Sequence, residues 1–118
     1  GAFTPSCSAR LLPGYIDRAP EFLSRGIDSL ACMAVIDVFV MDAWGKSAGA
    51  GEFLMLADGN ADFTMAMGLE MDARPYGMGV RSQRFALLAE NGVVRQLFLE
   101  GPGEFRVSSA EYVLAHLD

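Results

Sequence analysis

Histidine, cysteine and tryptophan are scarce in this chain: 118 residues hold one histidine, two cysteines and one tryptophan. The two cysteines, Cys7 and Cys32, form neither a C-x-x-C pair nor a zinc pattern. The histidine, His116, falls in the last helical stretch, where a solvated or helix-end side chain is expected rather than a ligand. There is no G-x-G-x-x-G, no P-loop and no Ser/His/Asp set, so no cofactor is expected. Basic residues number nine against fifteen acidic ones, for a net charge of −6, which argues against a nucleic-acid surface. Although 52% of the residues are hydrophobic, no uninterrupted apolar run approaches the ~18 residues of a membrane span. The low cysteine count and the lack of a signal peptide in these residues fit a reducing compartment, so a cytoplasmic location is expected. No repeat, low-complexity segment or linker interrupts the chain, and its length suits a single domain over residues 1–118. Seven methionines are accounted for by the filling of irregular core gaps.

Periodicity assigns the elements. Ser6 to Ser24 reads as a helix kinked at Pro13-Gly14, with Tyr15, Ile16, Ala19, Phe22 and Leu23 on its apolar face. Ser29 to Val35 is an apolar run of strand length, as expected for a parallel strand buried on both faces. Val38 to Ser47 reads as a helix capped by Asp37, and Phe53 to Ala57 as a second buried strand. Ala61 to Met67 is a short helix. Glu70 to Val80, with Pro75, Gly77 and Gly79, reads as loop. Arg84 to Ala89 and Val93 to Leu99 are strands joined through Asn91-Gly92, a hairpin signal. Ser108 to Leu117 closes the chain as a helix capped by Ser108 or Ser109. Parallel βαβ units followed by a hairpin and a helix define an α/β protein.

The first eight residues carry the chemistry. Thr4 stands three residues before Cys7, with Pro5 between, at the threshold of the first helix. The free amides of a first helical turn and the positive end of its dipole both favour a thiolate. The Thr4 hydroxyl adds a hydrogen-bonding group for a small polar ligand. Such a set suits attack of sulfur on a peroxide O–O bond. A buried structural cysteine after a turn has the same spacing, and spacing alone leaves both readings open.

The motifs Thr4-x-x-Cys7-Ser8, Leu12-Pro13-Gly14-Tyr15, Ala31-Cys32 and Asp37-x-Phe39-Val40-Met41 follow in order along the chain. After them come Ala43-Trp44-Gly45, Leu56-Ala57-Asp58-Gly59-Asn60, Arg81-Ser82-Gln83-Arg84-Phe85, Asn91-Gly92-Val93-Val94 and Val107-Ser108-Ser109-Ala110. Together they resemble the type II peroxiredoxins (the peroxiredoxin-five class of the redoxin superfamily) over nearly the whole chain. The resemblance implies a thioredoxin-like α/β sandwich, a mixed sheet flanked by helices. It implies a thiol peroxidase acting on hydrogen peroxide and organic hydroperoxides without metal or haem. In antioxidant defence and redox homeostasis, its partner would be glutathione with glutaredoxin, or thioredoxin.

By the same resemblance Cys7 is the peroxidatic cysteine, Thr4 the peroxide-positioning hydroxyl and Arg84 the catalytic arginine. Arg81 is the weaker alternative, with a surface or interface role expected. Cys32 stands where some members carry a resolving cysteine; a small buried hydrophobe is the favoured reading, which leaves resolution to an external thiol. Pairing as a homodimer around the active site is implied, with Phe3, Phe39 and Trp44 in the core or on that surface. The family's histidine four residues after the cysteine is replaced by Leu11, and its asparagine before Asp37 by Ile36. The Gly-Gly-Leu-Gly loop and the C-terminal Tyr-Phe helix of the members most sensitive to over-oxidation do not appear in these residues, so slow over-oxidation is expected. The chain begins inside the active-site loop, so it is expected to be the C-terminal part of a longer domain. It would then lack the N-terminal strands, one of which lies between Ser29–Val35 and Arg84–Ala89. Two other readings use the same scaffold: a peroxide sensor that relays oxidation to a partner, and a catalytically inactive interaction domain.

Overall fold

The computed structural model describes residues 1–117, which divide into two compact units at Ser82/Gln83. The first unit opens with helical backbone from Pro5, a single π-helical turn at Cys7–Leu11, and α1 (Leu12–Ser24). The irregularity was expected at Pro13-Gly14 and lies one turn earlier. Pro13 lacks an N–H, and its ring crowds the carbonyl four residues back. The helix widens there, and the Leu12 N–H reaches back five residues to the Cys7 carbonyl.

After β1 (Ala31–Ala34), α2 (Val38–Ala48) crosses to β2 (Leu54–Ala57), which pairs parallel with β1. Asp37 caps α2 as expected, its carboxylate accepting from Val40 N at 2.9 Å. Cys32 stands opposite Met55 and Ala34 opposite Ala57. These four residues belong to or pack on a buried cluster of Cys7, Leu12, Ala34, Met41, Trp44 and Ala50. Gly45 lets α2 lie close on this face, because a Cβ there would stand 2.8 Å from Met55 Cγ. The other face is open: Ala31, Leu54 and Leu56 are exposed. Burial on both faces was expected of these runs. Only one face is buried, because among the described residues β1 and β2 pair only with each other and the cluster covers one side.

The unit continues through α3 (Asp62–Ala66), then β3 (Glu70–Asp72) and β4 (Val80–Ser82), an antiparallel pair around a short 3₁₀ turn at Arg74–Tyr76. This segment reads as loop in the sequence because its strands are three residues each and Pro75, Gly77 and Gly79 dominate the pattern. Asp58 holds the start of α3: its carboxylate accepts from Phe63 N, Thr64 N and Thr64 Oγ1.

The second unit is a hairpin, β5 (Phe85–Glu90) and β6 (Val93–Leu99), followed by α4 (Ala110–Ala115). Asn91 and Gly92 take positive φ (52° and 77°), as the tight turn between right-twisted strands requires. The register shifts at Leu88/Ala89, where Arg95 is the extra residue of a bulge on β6. Ser109 caps α4, and Tyr112 packs edge-on against Phe98 and stacks on His116. His116 thus lies at the end of α4, its Nδ1 2.8 Å from the Tyr112 carbonyl. The carboxylate of Glu100 is buried and accepts from Arg106 N, Ser108 N and Ser108 Oγ.

Candidate active site

Pro5 takes the first helical position, where its missing N–H has no intrahelical role. Ser8 N donates to Thr4 O at 2.9 Å, which closes the first turn and makes Cys7 the third helical residue. The sulfur therefore sits at the positive end of the helix that runs on to Ser24. It is 4% exposed, and the terminal amino group of Gly1 lies 3.0 Å from it.

Thr4 lies in the same loop. Its hydroxyl donates to the Gly1 carbonyl at 2.6 Å, and its amide to the same oxygen at 3.2 Å. The hydroxyl proton is thereby committed, and the oxygen keeps lone pairs for a ligand. Arg81 shares this neighbourhood: a Cβ on Gly1 would lie 3.2 Å from Thr4 Cγ2 and 3.8 Å from Arg81 Nη1. The Arg81 guanidinium donates to Val35 O at 3.1 Å and to Met78 O at 2.9 Å, joining the end of β1 to the β3–β4 connection. The 46-residue reach of Arg81 to Val35 leaves no local signal in the sequence.

Cys32 is half-buried on the inner face of β1. Both cysteines are unbridged thiols. Burial pushes the Cys32 thiol up to about 11; the nearby Cys7 adds to the rise, and the positive amino terminus opposes it. Arg84 belongs to the second unit and directly precedes β5. Its Nη1 donates to Glu104 O at 2.8 Å, and its guanidinium lies 5.6 Å from the centre of the Phe105 ring. Its Nε is buried with no hydrogen-bond partner among the described residues.

Trp44, 2% exposed on α2, donates from its indole to Ser8 Oγ at 3.1 Å. Of the three aromatics expected in the core or at a pairing surface, Trp44 is core, whereas Phe3 and Phe39 are exposed, Phe39 to 82%. Two open clefts of the first unit, one lined by Asp28 and Glu52 and the other by Ala19 and Phe53, include neither Cys7 nor Thr4. No group of three or more His, Cys, Asp or Glu among the described residues is arranged to hold a metal. No helix there is long and apolar enough to cross a membrane.

The Redoxin family model matches residues 1–114. Peroxiredoxin-2E-2, chloroplastic, of Oryza sativa subsp. japonica is 52% identical over 121 residues, covering 99% of this chain and 54% of that protein. Peroxiredoxin-2D of Arabidopsis thaliana is 48% identical, covering 99% and 73%. Among solved structures, reduced Prx3 of Vibrio vulnificus in complex with hydrogen peroxide superposes with a TM-score of 0.95 at 53% identity, covering 99% of this chain and 76% of that one. The chain belongs to the redoxin family, as a type II peroxiredoxin with the mixed α/β, thioredoxin-like fold. It spans about half the length of the first curated relatives it matches.

Proposed function

We propose that the protein is a thiol-dependent peroxidase that reduces hydrogen peroxide and organic hydroperoxides at Cys7. The observation that carries this reading is the seating of the Cys7 sulfur. It is buried at the third position of a long helix, at the positive end of its dipole, with Thr4 in the same loop. The Cys7 thiolate attacks the terminal peroxide oxygen. An S–O bond forms, the O–O bond breaks, and the leaving oxygen takes up a proton as water or an alcohol. Thr4 accepts a hydrogen bond from the peroxide, since its own proton is held by Gly1 O. Arg84 is proposed as the cation that stabilises the departing oxygen, on its place in the Arg81-Ser82-Gln83-Arg84-Phe85 motif; the unpaired buried Nε supports a role beyond packing.

The sulfenic acid is then reduced by an external thiol. One thiol displaces water to form a mixed disulfide with Cys7, and a second thiolate releases Cys7 as the reduced sulfur. Glutathione with glutaredoxin, or thioredoxin, would supply both. A thiol held near 11 is a poor internal resolver at neutral pH, which favours the structural role of Cys32. The exposed Phe3 and Phe39 suit pairing as a homodimer. Unbridged cysteines suit a reducing compartment such as the cytoplasm; two relatives are named as chloroplastic.

The test is hydroperoxide consumption by the complete protein, with the glutathione–glutaredoxin and thioredoxin systems supplied separately. Turnover in either, abolished by Cys7→Ser, is the expected result. Oxidation of Cys7 without turnover in either would favour a relay, and no oxidation at all would favour an inactive domain.

A further inference from the structure

We propose that Trp44 is a positioning residue for Cys7, acting through the Ser8 hydroxyl; this rests on the reading of Cys7 as the reactive thiol. Three observations carry it. The indole N–H of a fully buried tryptophan requires a partner, and here the partner is a side chain 36 residues away, Ser8 Oγ at 3.1 Å. Ser8 adjoins Cys7 in the chain, and both lie in the π-helical turn, the one irregular turn of this helix. Trp44 and Cys7 also belong to the same buried cluster, so both residues of the turn are fixed by one side chain: Ser8 by a directional bond and Cys7 by packing.

The geometry explains why such a bond is needed here. A π turn closes its bonds over five residues rather than four, so its side chains take different angles about the helix axis. Successive residues are separated by roughly 100° around that axis in an α-helix, and by somewhat less in a π turn. Rotation of the turn would carry the sulfur away from Thr4. Packing against Met41 and Trp44 limits that rotation without selecting an angle. The hydrogen bond selects one, because its length and direction depend on where Ser8 lies. Trp44 is held on α2 between the cap at Asp37 and the close approach at Gly45, so the reference point is rigid.

In the complete protein, Trp44→Phe and Ser8→Ala should each slow oxidation of Cys7 by hydrogen peroxide about tenfold, as expected for a displacement well short of 1 Å. The double variant should be no slower than either single one, because the two changes remove the same bond. Ser8→Thr, which keeps the hydroxyl, should restore the rate. Alkylation of Cys7 by iodoacetamide, which needs no oriented peroxide, should stay within about twofold of the native rate. Unchanged oxidation in the single variants, additive losses, or an equal fall in oxidation and alkylation would overturn the proposal.

If native Cys7 reacts with peroxide no faster than a free thiol, the peroxidase reading fails instead. The coupling is then judged by Trp44 emission, which should change when Cys7 is alkylated in the native protein and respond much less in Ser8→Ala. An equal response in Ser8→Ala would overturn the coupling itself.

Discussion

The Thr4 hydroxyl and the Gly1 carbonyl stand 2.6 Å apart, and that bond fixes which way the only proton of the hydroxyl points. Toward a peroxide, Thr4 is left as an acceptor. Thr4→Ser keeps this arrangement and should retain most of the rate of Cys7 oxidation. Thr4→Val keeps the shape, loses the oxygen, and should slow oxidation by about tenfold or more, the loss of one positioned hydrogen bond. Stopped-flow oxidation of Cys7 measures both; equal rates in the two variants would remove Thr4 from the mechanism.

Cys7→Ser should abolish peroxide reduction, whereas Cys32→Ser should leave most glutathione-supported turnover. With a thiol near 11, only about one Cys32 in a thousand is ionised at pH ~8. Formation of a Cys7–Cys32 disulfide should therefore be slow at neutral pH and accelerate as the pH approaches about 11. Non-reducing mass spectrometry after a peroxide pulse follows the bridge. A fast bridge at neutral pH would make Cys32 the resolving residue.

Arg84→Ala should slow oxidation of Cys7 by a factor on the order of 10², the scale of one preorganised transition-state donor. Arg84→Lys keeps the charge and loses the planar fork, so it should recover only part of the rate. Unchanged oxidation in Arg84→Ala would transfer the role to Arg81, whose guanidinium lies in the Thr4 neighbourhood.

Glu100 should matter for stability and not for peroxide chemistry. Its burial raises the carboxyl pKa, but the Ser108 hydroxyl and the amides of Ser108, Arg106 and Val107 outweigh this and hold it below its ordinary value. Its folded value is thus lower than its unfolded one. The stabilisation is complete above the unfolded value, near 4.5, and is lost as the pH falls through the folded value. Glu100→Gln should destabilise the protein by about 1–3 kcal/mol at pH ~7. The difference from the native protein should shrink in acid. Chemical denaturation at several pH values tests the sign.

Asp37→Ala should cost about 1 kcal/mol through loss of the cap on α2. The same titration reads it, and a neutral result would show that α2 is held by its Met41 and Trp44 contacts alone.

Local chemistry was legible in the sequence. Asp37 before Val38, Asn91-Gly92 between alternating runs and Ser109 before α4 act within a few residues, and they take the places expected of them. Periodicity identified the α/β class, and the ordered motifs identified the family with its thioredoxin-like fold. The β3–β4 pair was missed because three-residue strands carry too few alternations to form a pattern. The open faces of β1 and β2 were missed because an apolar run does not say how many of its sides will be covered. Around Cys7, the sequence supplied the helix start, Pro5 and Thr4. Only tertiary structure brought Trp44 to Ser8 and Arg81 to Val35, contacts spanning 36 and 46 residues. The physical reason is range: a cap or a turn is selected by its neighbours in the chain. A side-chain hydrogen bond between distant segments exists only once the buried cluster has fixed where those segments lie.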